Sequence, residues 1–311
     1  MIALEATQKA IGRAEMKSIN DRIAAGDALV CDGATGTLLF EMGLQPGDCP
    51  EALALSRPEL LETMARQYLD AGADIIEACT FGASPLKLSP HDLEEKTEQI
   101  NREAVAAVRA VVGDKAYVGA SVGPSGQILQ PYGDVSETQV YDSYRRQMEA
   151  LVAAGIDCVL IETMFDINEA SLAISAARDV SADLPVTATM TFDATPRGFY
   201  TIMGVDVATA VSGLVEAGAD VIGSNCGNGI DTMVEIARVF RDTTDHPLII
   251  QSNAGLPEIE DGEVVYRESP AFMAERVEEL LEIGVSIVGG CCGTTPEHIR
   301  AFRDLVDRAA R

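Results

Sequence analysis

An α/β fold built from eight repeated βα units is what the sequence predicts, and three observations carry that prediction. The chain says nearly the same phrase four times: DAGADIIEA from Asp70, AAGIDCVLIET from Ala153, EAGADVIGSN from Glu216 and EIGVSIVGGC from Glu282. Each phrase ends an amphipathic helix, turns at a glycine suited to a helix C-terminus, and runs into a short apolar stretch. Those stretches are continuously apolar rather than alternating, as in parallel strands buried on both faces. Eight of them fit in 311 residues, the size of a (β/α)8 TIM barrel. An open doubly wound sheet is the alternative, but evenly spaced units without a dinucleotide fingerprint favour closure.

Taken in order, the strands are expected at Ala28–Asp32, Ile75–Cys79, Tyr117–Ser121, Cys158–Glu162, Val186–Met190, Val221–Ser224, Leu248–Gln251 and Ser286–Gly289. Apolar positions at helical spacing predict helices between them, among them Pro58–Ala71, Glu95–Val112, Glu137–Ala154, Ile230–Arg241 and Ser269–Ile283. The opening residues set charges between apolar positions at helical spacing, which predicts an N-terminal helical extension over 1–26. No linker or low-complexity segment interrupts the rest, so residues 27–311 are expected to form a single barrel domain.

Composition narrows the class of function. Hydrophobic residues make up 47% and charged residues 23%, the balance of a globular protein. The formal net charge is −26, with lysines and arginines scattered, which argues against nucleic acid or an anionic membrane surface as partner. No apolar run approaches the ~20 residues of a membrane span, and the N-terminus lacks the apolar core of a secretory signal. Seven cysteines, an odd number, point to free thiols in a reducing cytoplasm. Cys31, Cys79 and Cys158 lie inside strand-like runs and read as packing.

In such barrels the reactive groups sit at the C-terminal strand ends. Polar residues fall there with regularity: Asp32 in DGATGT, Glu77 and Thr80, Glu162 and Thr163, Asn225 and Cys226, Asn253, and the pair Cys291 and Cys292 in GGCCGTT. The vicinal cysteines are poorly placed to bond each other, because the ring they would close strains the peptide between them. Three thiols from strands six and eight either pack at a glycine-rich rim or converge on a soft metal, and three thiolates with one open position describe a zinc site. DGATGT either cradles a carboxylate or phosphate on backbone N–H groups or is a tight turn with Asp32 as helix cap. Glu162 ends a buried strand and needs a cationic or hydrogen-bonding partner, which a ligand's amino group would supply. Glu77 reads as a structural partner for loop donors. His91, His246 and His298 read as surface histidines rather than catalysts. The segment TMTFDATPRGFYTIMGV either touches a second substrate through Phe192, Phe199, Tyr200 and Met203 or packs as a lid.

DGATGT, LIETMFD, GSNCG, SNAGLP and GGCCGTTPEHI lie in this order at these spacings, and together they resemble the homocysteine S-methyltransferase family. That family includes the homocysteine-binding module of cobalamin-dependent methionine synthase and betaine–homocysteine methyltransferase. The likeness runs from about Ala28 to the C-terminus. It implies zinc held by Cys226, Cys291 and Cys292, with Asn253 able to occupy the metal when substrate is absent. It further implies L-homocysteine as substrate, its amino group held by Asp32 and Glu162 and its carboxylate by the backbone around Ala34 and Thr35. The metal keeps the homocysteine thiol deprotonated, and the sulfur takes a methyl group. The chain carries no folate barrel or cobalamin domain, so it looks like a free-standing homocysteine module. Methylcobalamin, free or on a separate corrinoid protein, is the expected donor. S-methylmethionine, another sulfonium or a betaine are the alternatives, as is a non-catalytic zinc- or thiol-binding protein. The absence of tryptophan weakens a quaternary ammonium donor.

Overall fold

The computed structural model describes residues 16–45, 47–260 and 263–309. Eight parallel strands make one sheet: β1 (Leu29–Val30), β2 (Ile75–Ala78), β3 (Tyr117–Val122), β4 (Cys158–Met164), β5 (Val186–Met190), β6 (Val221–Asn225), β7 (Leu248–Ser252) and β8 (Ile287–Gly290). Each pairs with its neighbours in the chain, and β1 pairs with β8. A parallel bridge from Cys31 to Ile75 then joins β1 to β2 and closes the ring. This is the expected TIM barrel, and every expected strand overlaps an observed one.

Strand parity divides the core into two layers, since successive side chains point to opposite faces. Leu29, Cys31, Ile75, Tyr117, Cys158, Leu160, Val221, Ile249 and Ile287 fill the barrel interior. Val30, Ile76, Val118, Val159, Ile161, Ile222, Ile250 and Val288 face outward into the larger cluster under the helices. The helix Pro58–Ala71 shows how that layer is met: Leu61, Met64, Ala65 and Tyr68 recur at helical spacing and are all buried. A short helix, Ile19–Ala24, capped by the Ser18 side chain, lays Ile19 against the interior cluster and so plugs the barrel floor. Of the expected N-terminal extension, residues 1–15 lie outside the described residues.

The repeated phrase has a structural meaning. Gly72, Gly155, Gly218 and Gly284 each end a helix at φ between 86° and 102°, which only glycine adopts at no steric cost. Two residues on stand Asp74, Asp157, Asp220 and Ser286. The three aspartates accept the backbone N–H of Val30, Val118 and Val186, at 2.9, 2.8 and 2.8 Å, and so tie β1, β3 and β5 to the strand that follows each. Arg303, Arg109 and Arg178 on neighbouring helices pair with the same carboxylates. Where Ser286 replaces the aspartate, Arg241 donates to the carbonyls of Ile283 and Gly284 instead.

Candidate metal and substrate site

The three expected cysteines meet. The sulfurs of Cys226, Cys291 and Cys292 all lie within 4.8 Å of one another. Cys226 Sγ is 3.9 Å from Cys292 Sγ, and the vicinal pair is 4.0 Å apart, so none is bonded to another. A tetrahedral zinc with Zn–S bonds of about 2.3 Å needs sulfurs about 3.8 Å apart, so the thiol set fits that ion. Backbone ties from three strand ends hold it. Cys226 N–H donates to Gln251 O at 3.0 Å, Cys291 N–H to Ser252 O at 2.8 Å, and Ala254 N–H to Cys292 O at 2.9 Å. Without a cation, three sulfurs in contact cannot all be thiolates. Donation from Cys226 and Cys291 brings the Cys292 thiol down to about 3, and Tyr266 adds to it. Cys226 goes up to about 11, the pull of Cys291 being outweighed by its donation to Cys292 and by burial.

Beside the thiols lies a cavity of about 300 Å³ whose wall includes Glu77, Ser121, Glu162, Gln251, the helix start at Thr35 and all three cysteines. Among the described residues, its lining holds no lysine, arginine or histidine. Glu162 accepts from Ser121 Oγ and, at 3.3 Å, from Asn225 Nδ2. Burial, and then the neighbouring Glu77, push its carboxyl well above the usual range. Glu77 accepts from Gln251 Nε2 at 3.1 Å and from the Cys31 thiol at 3.4 Å. Burial, and then Asp32, push it up to about 7. Asp32 accepts the Glu77 N–H at 2.9 Å and is itself pushed up to about 7, chiefly by burial.

Of the expected substrate contacts, Ala34, Thr35 and Glu162 line the cavity. Asp32 is buried but does not line the cavity, whereas Glu77, expected to be structural, does. The Ala34 N–H is taken by Thr294 Oγ1 at 3.1 Å. The helix Thr35–Glu41 then begins with no side-chain cap, leaving its first amides to face the cavity through Thr35, Gly36 and Thr37. Asn253 is buried with its Oδ1 unpartnered, outside the cavity lining. Cys31, expected only to pack, is buried and also donates into the carboxylate cluster.

Other expectations change with packing. Phe192 is core, set edge-on against Phe240 at 5.8 Å between centroids, so it is not free to touch a ligand. Phe199 and Tyr200 lie in a hairpin pairing Asp193–Thr195 with Gly198–Tyr200, and Met203 beyond it is exposed. His298 is buried rather than superficial: it bonds Glu268 O and accepts from Thr295 N–H, and burial lowers its pKa. One residue expected at a strand end gains a definite role, and one residue escaped sequence reasoning. Asn225 links Glu162 to Thr163 and, at 4.0 Å, to Cys291 Sγ. Tyr266 reaches Cys292 from outside the strand ends, its hydroxyl pushed up to about 12 by burial and then by that sulfur. Its ring covers Gly293, where φ is 79° and a Cβ would come within 2.1 Å of the ring. That glycine, in GGCCGTT, was the one visible trace of it.

Comparison with known proteins shows the family. A family model described as homocysteine S-methyltransferase matches residues 29–306. The chain is 32% identical over 297 residues to methionine synthase of Mycobacterium leprae (strain TN), covering 90% of this chain and 24% of that protein. Methionine synthase of Mycobacterium tuberculosis (strain ATCC 25618 / H37Rv) is 32% identical over 300 residues, covering 91% and 25%. The chain thus spans about a quarter of the length of these relatives. The fold is similar to that of the metallated homocysteine methyltransferase MmuM from Escherichia coli, with a TM-score of 0.73 at 22% identity, over 91% of this chain and 96% of that one. No helix among the described residues is long and apolar enough to cross a membrane.

Proposed function

The chain belongs to the homocysteine S-methyltransferase family, and from that premise we propose that it converts homocysteine to methionine, using zinc and a methyl group from a methylcorrinoid, free or carried on a separate protein. The observation that carries this reading is the convergence of three sulfurs, within 4.8 Å, on the wall of a cavity that also holds buried carboxyl groups. Cys226, Cys291 and Cys292 would hold the metal, and Asn253, with its unpartnered Oδ1, would be the exchangeable ligand. A zinc ion held there supplies a Lewis acid that keeps a substrate thiol deprotonated near neutral pH, where a free thiol of pKa ~8.5 is mostly protonated. Ser121 and Asn225 fix the Glu162 carboxyl, which takes the substrate's ammonium group. The uncapped amides at Thr35 and beyond take its carboxylate. The name of the mycobacterial relatives supports methionine as product. Among the described residues a single aromatic one, Phe81, lines the cavity, too few to cage a quaternary ammonium donor. A reducing cytoplasm suits the free thiols.

Elemental analysis of the purified protein, followed by methionine assays with methylcobalamin, S-methylmethionine and glycine betaine in parallel, tests this reading. One zinc per chain and methionine from methylcobalamin are expected, with betaine inert. Absence of zinc, and of methionine from every donor, would overturn it. Turnover with S-methylmethionine or betaine and silence with methylcobalamin would overturn the donor alone.

A further inference from the structure

We propose that Tyr266 and Asn225 are positioning residues that hold the protein's own sulfurs back from reaction. Each donates a hydrogen bond to one of them, Tyr266 to Cys292 Sγ and Asn225 to Cys291 Sγ, which leaves the substrate sulfur the better nucleophile. This holds on the zinc and homocysteine reading above. The loop that carries Tyr266 leaves and rejoins the barrel beside the cysteine pair. Ala254 N–H donates to Cys292 O at 2.9 Å, Glu268 N–H to Ala254 O at 2.9 Å, and the His298 ring bonds Glu268 O at 2.9 Å. The half-buried Tyr266 ring is thereby set against Gly293, where a Cβ would come within 2.1 Å of it. That seat brings the hydroxyl to Cys292 Sγ, which accepts its hydrogen bond. Asn225 Nδ2 stands 4.0 Å from Cys291 Sγ, at the outer reach of a hydrogen bond to sulfur.

Charge makes such donors necessary. Three thiolates already exceed the charge of a divalent cation, and a substrate thiolate adds to the excess. Among the described residues the cavity lining brings no cationic side chain to offset it, while the buried carboxyl groups of Glu77 and Glu162 stand in the same wall. Neutral N–H and O–H donors are what remains to spread that charge. Their chemical consequence is selectivity. A thiolate attacks with a sulfur lone pair, and a hydrogen bond to that pair weakens the attack. Without the donors, protein and substrate sulfurs would compete for the same methyl group. Asn225 also serves Glu162 and Thr163, so its replacement would disturb the substrate's surroundings as well. Tyr266 is therefore the donor to alter.

Cobalt(II) in place of zinc reads the Tyr266 bond without turnover, because its sulfur-to-metal charge-transfer band moves to longer wavelength as a sulfur becomes a stronger donor. Tyr266→Phe, which keeps a ring over Gly293, should shift the band to longer wavelength with cobalt still bound. Replacing every tyrosine by 3-fluorotyrosine, a stronger hydrogen-bond donor in the same fold, should shift it to shorter wavelength. Methyl iodide on the zinc form gives a second readout: a cysteine lone pair forms the S–CH3 bond as the C–I bond breaks and iodide leaves. Peptide mass spectrometry should find Cys292 methylated faster in Tyr266→Phe by on the order of tenfold, the rate equivalent of one hydrogen bond to a charged group. Cys226 in the same chain is the reference. A band unmoved by either change, or methylation that rises equally at Cys226 and Cys292, would make Tyr266 a packing residue and overturn the assignment. Should Tyr266→Phe not fold, the fluorotyrosine protein decides: a shift to shorter wavelength supports the bond and an unmoved band overturns it. A wild type that takes up neither cobalt nor zinc would instead remove the metal reading, and this inference with it.

Discussion

Cys226 sits at φ 60° and Thr163 at φ 61°, in a region that costs a residue bearing a side chain on the order of 1 kcal/mol or more. Cys226 follows β6 and Thr163 lies in β4 beside Glu162, both at the cavity, and the Asn225 side chain holds Thr163 in place. Its Oδ1 accepts the Thr163 N–H at 2.7 Å, and its Nδ2 donates to Thr163 Oγ1 at 2.8 Å. The strain is spent where a sulfur and a carboxylate must be aimed. At this scale Cys291→Ala should lose zinc, while Cys31→Ala, which alters only the layer beneath, should keep it; elemental analysis after desalting decides, and full zinc in Cys291→Ala would refute the ligand set. Glu162→Gln should keep zinc and weaken homocysteine binding by about 2–4 kcal/mol, the usual loss when one partner of a desolvated charge pair is removed. Unchanged affinity by calorimetry would make Glu162 structural. Glu77 also has a signature in stability. Its carboxyl is raised from 4.5 to about 7 by burial and then by Asp32, so the folded state binds the proton more tightly than the unfolded one. The resulting stability is complete below about pH 4.5 and is lost as pH rises through about 7. In ligand-free protein Glu77→Gln should therefore gain on the wild type between pH 5 and pH 8; equal urea midpoint differences at both would contradict this.

Among elements, the repeated helix–Gly–x–Asp phrase acts as a clamp rather than as a mere echo. Each aspartate fixes the strand before it through one backbone N–H and meets an arginine from a neighbouring helix, Asp74 meeting Arg22 as well as Arg303, so three strand pairs are locked at the floor, away from the mouth. Asp220→Ala should cost about 2 kcal/mol, because the Val186 N–H and the Arg178 guanidinium both lose a charged partner. Zinc binding should be untouched, since the clamp and the thiols lie at opposite strand ends. A urea titration reads the first, and a stability equal to wild type would show that the Gly218 and Leu184 carbonyls, which Arg178 also reaches, suffice.

At the scale of the molecule, the proposed metal site is peripheral to folding. The two core layers run through all eight strands and their helices, and the cysteines are half-buried at one rim. A chain of this size buries enough apolar surface to fold without a metal, unlike small zinc-dependent domains. Chelation should thus remove zinc and homocysteine binding, lower Tm by a few degrees, and leave the far-UV circular dichroism intact. Collapse of the spectrum on chelation would show that the rim organises the barrel.

Hydrophobic periodicity is a local property, and the sequence determined by itself whatever depends on it: eight buried strands, the helices between them, the capping glycines and the strand ends where chemistry gathers. Pro58–Ala71 and Glu137–Ala154 lie where their spacing put them. The motif cysteines were legible for the same reason, because a strand end is a local feature. Facing was legible in part. Counting in twos from Ile75 and Leu160 puts Glu77 and Glu162 inside the barrel, but which strand faces which partner depends on the stagger that closes the sheet. Only the tertiary structure decided that Asp32 supports Glu77, that Thr294 takes the Ala34 N–H, that Phe192 joins the core against Phe240, and that Tyr266 covers Gly293 beside Cys292. Each of these joins residues far apart in the chain or turns on the path of a loop between strands. Such contacts are set by how the barrel closes, which no single stretch of sequence encodes.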